Sequence, residues 1–310
     1  MPDAGGSALD AHAAVLAVPR PALRRRQKVV VTGASGMLGS DLVPALAAAG
    51  HDVFARSREE LDVTDTAAVL HVVRELGPDV LVNCAAFTKV DDCETDPRAF
   101  AVNAAAVGHL ADACGRFGVR LVQISTDFVF DGEKGSPYTE EDAPRPLSAY
   151  GKSKRAGEEE ALRLPGSLVV RASWLFGRSG WNFIEAILKQ AQAGKKRLAV
   201  VTDQVGRPTS TTDLSEAIAA LLEAGASGIY HFANRGEVSW NEFAREILWR
   251  AGLRDVEVDP TTSESLGRPA RRPAYSVLDT GKYERVTGRP IRAFREPLAE
   301  YLARRAHPEA

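Results

Sequence analysis

The sequence predicts an α/β protein: a doubly wound parallel sheet with a smaller lobe formed by its C-terminal part. Two observations carry this reading. From residue 28 to residue 173, short β-branched runs alternate with stretches of helical apolar spacing. The runs are nearly continuously apolar, as strands covered on both faces by helices must be. The first run, KVVVTG, passes directly into GASGMLG, which places Gly33, Gly36 and Gly39 at three-residue intervals where a helix opens.

The elements follow in order. KVVVTG is a strand ended by Gly33. MLGSDLVPALAAAG is a helix with Leu38, Leu42 and Leu46 on one face and Gly50 as its stop. Pro44 is expected near that helix's start, where proline is tolerated. DVFA is the second strand, and Asp65 is the N-cap of the helix DTAAVLHVVRELG. DVLVNCAA is the third strand. AFAVNAAAVGHLADACGRFG reads as one long helix, in which Asn103 is a poor helix former and needs a structural or functional reason. VRLVQIST is the fourth strand. A loop rich in proline and acidic residues, 132–146, leads to the helix bearing Tyr150, and SLVVRAS is the fifth strand. Beyond Ser173 the order loosens. NFIEAILKQAQAG, TDLSEAIAALLEAG and SWNEFAREILWRAG read as helices, RLAVV and GIYHFA as strands, and RPARRPAYSVLDTGKYERVTG is Pro-rich and basic. The expected division is a flexible tail over 1–27, a Rossmann-type dinucleotide-binding domain over 28–177, and a substrate-binding lobe over 178–310 with elements returning to the main sheet.

Composition narrows the function classes. A net charge of −2 gives no basic surface for nucleic acid. No apolar run reaches the roughly 20 residues of a membrane span. Three cysteines, Cys84, Cys93 and Cys114, are an odd number without a CxxC, which fits free thiols in a reducing, cytoplasmic setting. The scattered histidines form no HExxH-type pair, and no metal is expected.

The motifs point to a nucleotide cofactor and a reacting carbonyl. Glycines after a first strand let the backbone approach a pyrophosphate, which then sits on a helix N-terminus. The second strand of such a fold commonly ends in an acid that holds the ribose of NAD. Here Arg56, Ser57 and Arg58 stand in that place, which favours the 2′-phosphate of NADP. Asp62 and Val63 follow as flanks for the adenine, and Asn83, Ala85 and Ala86 end the third strand. Ser125, Thr126 and Asp127 lie at the carboxyl end of the fourth strand, where open α/β sheets hold ligands. Tyr150 and Lys154 are four apart, on one face of a helix. An ammonium there is expected to favour the phenolate.

GASGMLG, STDFVF and Tyr150-x-x-x-Lys154 together resemble the extended short-chain dehydrogenase/reductase family. REELDVTD, NCAAFTKVDDCE, FAVNAAA, YGKSKRAGE, VVRASWLFG, DQVGRPTST and RPAYSVLD are similar to the dTDP-4-dehydrorhamnose reductase branch of it. The resemblance runs from about Lys28 to near Arg304. It implies reduction of the C4 ketone of a nucleotide-linked 4-keto-6-deoxyhexose, dTDP-4-dehydro-L-rhamnose in the first instance. NADPH is the implied cofactor, with NADH as the alternative. By the same resemblance Thr126, Tyr150 and Lys154 are catalytic. Gly33, Gly36, Met37 and Leu38 hold the diphosphate, Asp62 and Val63 the adenine, and Ala85, Ala86 and Thr88 the nicotinamide side. Trp174, Asn182, Arg207 and Arg272, with Thr126 and Asp127, meet the sugar nucleotide. Phe87 and Phe128 replace the tyrosines usual in the family, and Lys89 replaces a small residue. The second acid that a 4,6-dehydratase carries is absent at Phe128. The remaining alternatives are another nucleotide-sugar 4-ketoreductase, an epimerase with tightly held cofactor, and a non-catalytic NADP-binding regulatory subunit. A homodimer is an open expectation; the acidic set that bridges some relatives through a metal is not evident.

Overall fold

The computed structural model describes residues 26–306. The expected tail therefore lies outside the described residues, except for Arg26, which pairs with Asp52, and Gln27.

Six parallel strands form the central sheet: β1 (Lys28–Thr32), β2 (Asp52–Arg56), β3 (Val80–Asn83), β4 (Arg120–Thr126), β5 (Leu168–Ala172) and β10 (Gly228–Phe232). Their spatial order is β10-β5-β4-β3-β1-β2. The chain winds outward from β1 to β2, then returns to place β3 on the other side of β1. The winding reverses between β1 and β3, so the binding crevice of an open sheet opens above their carboxyl ends. The register aligns Thr32 with both Arg56 and Asn83, and Thr126 with Ala172, which brings these ends level.

Strand alternation explains why both faces are covered. Val29 and Val31 point into a core with α1 (Met37–Ala48) and α7 (Thr211–Glu223). Val30, Leu81 and Leu121 point the other way, onto α2 (Thr66–Leu76) and α4 (Ala106–Phe117). Asp65 caps α2, accepting from the amides of Ala67 and Ala68.

Two elements differ from the sequence reading. Pro44 lies in the interior of α1 rather than near its start. Its missing N–H costs the bond to the Ser40 carbonyl, and the buried Leu42 and Leu46 on either side keep the helix seated. The long helix expected around Asn103 is broken into α3 (Arg98–Phe100), a π-helical turn (Ala101–Ala105) and α4. The buried Asn103 amide makes that turn useful: it accepts from the Phe87 amide at 2.8 Å and donates to the Phe87 carbonyl and to Ser153 Oγ, both at 3.0 Å.

After α5 (Ala149–Leu162) and β6 (Leu175–Phe176), the chain builds a second, smaller core. Around it lie α6 (Phe183–Gln192), β7 (Arg197–Val201), β8 (Val205–Gly206), β9 (Thr209–Ser210), β11 (Val238–Ser239), α8 (Trp240–Arg250), β12 (Glu257–Thr261), α9 (Ser263–Leu266) and α11 (Arg295–Ala306), whereas α10 (Gly281–Thr287) packs through Tyr283 into the core of the main sheet. Phe176, Ile184, Ile187, Phe243, Ile247 and Phe294 fill it. RLAVV, as β7, pairs with β12; GIYHFA, as β10, joins β5 in the main sheet.

Candidate active site

The glycine turn is shaped for close approach. Gly33 has φ +61°, and a Cβ there would lie 2.7 Å from the Ala85 amide nitrogen. A side chain at Gly39 would collide with the Gly33 carbonyl. Helix α1 opens at Gly36 with no side-chain cap and no acidic residue in its first turn. The Gly36 amide donates to the Gly33 carbonyl at 3.0 Å, and the leading amides of Met37 and Leu38 are the ones open to an anion, as a dinucleotide's diphosphate requires. Ala85 abuts this turn, and Arg56 lies beside it, its carbonyl accepting from the Ala34 amide at 3.0 Å. The Arg56 side chain bends back to the Ala55 carbonyl at 2.7 Å. Asp62 accepts from both the amide and the hydroxyl of Thr64. Val63 is buried in the core against α2, so its main chain is what it can offer a ligand. Ala86 is half-buried and Thr88 exposed.

Thr126 ends β4 and its Oγ accepts from the Phe128 amide at 3.2 Å, capping a short turn, Asp127–Val129. Helix α5 starts over that turn. Ser148 caps it by accepting from the Gly151 amide at 3.1 Å, and any side chain at Gly151 would strike the Phe128 carbonyl. Tyr150 therefore stands against Thr126 and Phe128, its ring edge-on to Phe128 at 5.6 Å. One turn on, the buried Lys154 donates from Nζ to the Ile124 carbonyl at 2.7 Å. Asn103 locks α5 from the other side through Ser153, and Gly157 permits its close approach to the Asn103 carbonyl.

The electrostatics reverse one expectation. Tyr150 is not biased toward phenolate: desolvation pushes its phenol well above the ordinary range, Thr126 opposes this and Asp127 adds to it. Burial pulls Lys154 down to about 8, against the opposing charge of Glu158. Desolvation of the phenol dominates, and the ammonium four residues away is directed to the Ile124 carbonyl instead. The result is a tyrosine that carries its proton at neutral pH. Cys84, at the end of β3, is pushed up to about 12 by burial and stays a thiol.

Several residues expected to contact substrate are differently engaged. Asp127 is buried rather than presented to the cleft, accepting from Ser276 Oγ at 2.5 Å and from Thr126 Oγ at 3.0 Å. Asn182 is the N-cap of α6. It accepts from the Glu185 amide and donates to the Gly177 carbonyl and to Tyr301 Oη, each at 3.2 Å. Trp174, at φ +48°, stacks on Trp240 with ring centres 3.5 Å apart and packs against Gly206. Arg207 bonds the Leu278 carbonyl and Glu237, both at 3.0 Å. Arg272 forks onto Asp91 at 2.9 and 3.0 Å. Asp91 also accepts from the Ala270 amide, so it ties the segment carrying Arg272 to the loop after β3. Beside that tie is a cleft of about 390 Å³ lined by Gln204, Ser263, Arg268, Arg271 and Arg272.

Sequence reasoning missed Asp91, Ser276, Glu158 and Arg171. The last two form a buried fork beneath Lys154, with Glu158 accepting from Arg171 twice at 2.7 Å and from Ser125 at 2.6 Å. Glu158 at four residues past Lys154 was the available signal; the partners of the others are remote in sequence. Among the described residues no cluster of three or more His, Cys, Asp or Glu could hold a metal, and no described helix is long and apolar enough to cross a membrane.

Comparison with known proteins agrees with this geometry. The family model described as RmlD substrate binding domain matches residues 27–307. A dTDP-4-dehydrorhamnose reductase of Streptomyces griseus is 44% identical over 283 residues, 89% of this chain and 93% of that protein. A dTDP-4-keto-6-deoxy-D-glucose reductase of Streptomyces niveus is 39% identical over 274 residues, covering 87% and 95%. The crystal structure of a dTDP-4-dehydrorhamnose reductase from Bacillus anthracis in complex with NADP superposes with TM-score 0.86 at 35% identity, covering 90% of this chain and 99% of that one.

Proposed function

The chain belongs to the family described as the RmlD substrate binding domain, and on that premise we propose that it is an NAD(P)H-dependent reductase of dTDP-4-dehydro-L-rhamnose. The observation that carries the reading is the convergence of Thr126, Tyr150 and Lys154 at the carboxyl end of β4, on an open sheet whose glycine turn leaves helix amides free. NADPH is the cofactor, with NADH as the alternative, in keeping with the NADP complex of the B. anthracis relative.

The cofactor supplies the hydride. What the chain's own residues do follows from their states. Gly33, Gly36, Met37 and Leu38 cradle the diphosphate, and Arg56 pairs with a 2′-phosphate. Tyr150, held protonated by desolvation, gives its proton to the C4 oxygen as charge grows there, and Thr126 hydrogen-bonds the same oxygen. Lys154, once released from the Ile124 carbonyl, holds the ribose hydroxyls. Arg268 and Arg271, with Arg272 tied to Asp91, line a cleft that also holds Asp203 and Glu264 and offer guanidinium donors to the sugar's diphosphate, and Trp174 forms an aromatic wall. In this reading residues 28–177 bind cofactor and 178–310 bind sugar, with α7, β10 and α10 returning to the main sheet; the second core around α6 and α8 supports it.

The decisive assay offers dTDP-4-dehydro-L-rhamnose and NADPH and identifies the sugar formed by NMR. Absence of NADPH oxidation with any 4-keto sugar nucleotide refutes the enzyme reading and favours the non-catalytic one, which the intact Thr126, Tyr150 and Lys154 set argues against. A second substrate, dTDP-4-keto-6-deoxy-D-glucose, is favoured by the likeness to the S. niveus reductase, and the same NMR product analysis separates the two. A homodimer in the cytoplasm is the accompanying proposal, supported by the family resemblance and by three free cysteines; light scattering on the purified chain tests the dimer.

A further inference from the structure

Thr126 has one hydroxyl proton, and two groups compete for it. One is the sugar oxygen in the cleft; the other is Asp127, whose Oδ1 lies 3.0 Å from Thr126 Oγ. An ionised carboxylate can only accept hydrogen bonds, whereas a neutral one can donate. The protonation of Asp127 therefore decides which way the threonine points.

The setting moves Asp127 toward the neutral form and brings its titration into reach of neutral pH. Asp127 is 1% exposed. The groups facing it are the hydroxyls of Thr126 and Ser276, the main-chain amides of Asp127 and Phe128, and the Tyr150 phenol. Among the described residues no Lys or Arg pairs with it, which is unusual for a buried charge. Burial raises it to about 6, while the two hydroxyls and the amides act in the opposite direction. Filling the cleft with cofactor and sugar removes more water and pushes the same way.

We propose that Asp127 is a positioning residue that sets the direction of the Thr126 hydroxyl. As a neutral acid it donates to Thr126 and frees the threonine proton for the oxygen that receives charge; as a carboxylate it captures that proton. Ser276 joins this switch to the lobe, because it sits on the segment that also anchors at Asp91 through Ala270 and Arg272 and at Val205 through Ser276's own amide. The proposal rests on the reading of Thr126 as a donor to the C4 oxygen.

The test uses the full chain. Losing one donor to a growing oxyanion costs on the order of 10²-fold, so wild-type kcat should descend to a lower plateau as Asp127 ionises, by up to about that factor. Asp127→Asn is isosteric and donates from its amide at every pH, so this limb should vanish, leaving only the later one from Lys154. Ser276→Ala removes a bond that favours the carboxylate, so the limb should move to higher pH. A limb that persists in Asp127→Asn, or that does not move in Ser276→Ala, overturns the proposal. If neither wild type nor variants oxidise NADPH, the function reading has failed instead. The switch is still read without turnover by ¹³C NMR of labelled aspartate. Asp127 should titrate near 6 in wild type and higher in Ser276→Ala; an Asp127 signal that stays ionised throughout refutes it.

Discussion

Arg171→Met removes one half of a buried ion pair and leaves the other half behind. Arg171 and Glu158 are both fully buried, joined by two bonds of 2.7 Å, and Arg171 also reaches His231 at 3.3 Å. Without the guanidinium, Glu158 keeps the Ser125 hydroxyl and a weaker contact to the half-buried Arg155 at 3.2 Å. Orphaning a buried charge costs about 3–5 kcal/mol. Unfolding entropy near 2.1 cal/mol/K per residue gives about 0.65 kcal/mol/K for 310 residues. Differential scanning calorimetry should therefore show Tm lower by about 5–8 °C. Arg171→Met with Glu158→Met removes both charges, and most of the loss should return. The double variant should still differ in catalysis. Glu158 raises the proton affinity of Lys154, so without it the limb on which Lys154 loses its charge should shift to lower pH. A single variant that loses less than about 1 kcal/mol, or a double variant as unstable as the single, refutes the claim that the pair is held by mutual neutralisation in a desolvated site.

Tyr150→Phe keeps the ring and its contact with Phe128 but lacks the proton, so kcat should fall by about 10²–10⁴-fold while NADPH binding, followed by fluorescence, is retained; a variant keeping half of wild-type kcat sinks the acid assignment. Replacing Arg56 and Arg58 by alanine removes charge-assisted bonds worth about 1.5–3 kcal/mol, so KM for NADPH should rise with little change for NADH, and equal effects on both would show that the arginines do not read the 2′-phosphate. His231 is buried between Arg171 and the Tyr138 carbonyl and is pulled down to about 3, chiefly by burial. Its folded pKa is below the unfolded one, so the unfolded chain binds more protons between those values and stability is lost as pH falls from about 6.5 toward 3, by up to about 1.4 kcal/mol per pH unit. His231→Gln cannot take that proton, so its stability relative to wild type should improve steadily as pH falls through that window in urea unfolding curves; a constant difference would exclude the linkage.

The sequence alone determined what depends on neighbours along the chain. Alternating apolar runs required a parallel sheet with both faces covered, and Val29, Val30 and Val31 do divide between two cores. Glycine spacing after β1 placed the tight turn into α1, because a left-handed Gly33 and a crowded Gly39 are local backbone demands. The Asp65 cap and the Tyr150–Lys154 helix face were legible for the same reason. Tertiary structure decided what depends on distant partners. Whether Tyr150 holds its proton turned on desolvation against β4, which no four-residue spacing encodes. Pro44 remains inside a helix, and Asn103 sits in a π-helical turn, because packing partners remote in sequence hold them there. Asp127 turned inward to meet Ser276, 149 positions away, and Asp91 met Arg272 across 181. Such pairs are set by how the later part of the chain folds back over the earlier part. A pattern of local periodicity carries no information about that return, since the free energy that fixes it comes from burial between surfaces assembled only once the chain is folded.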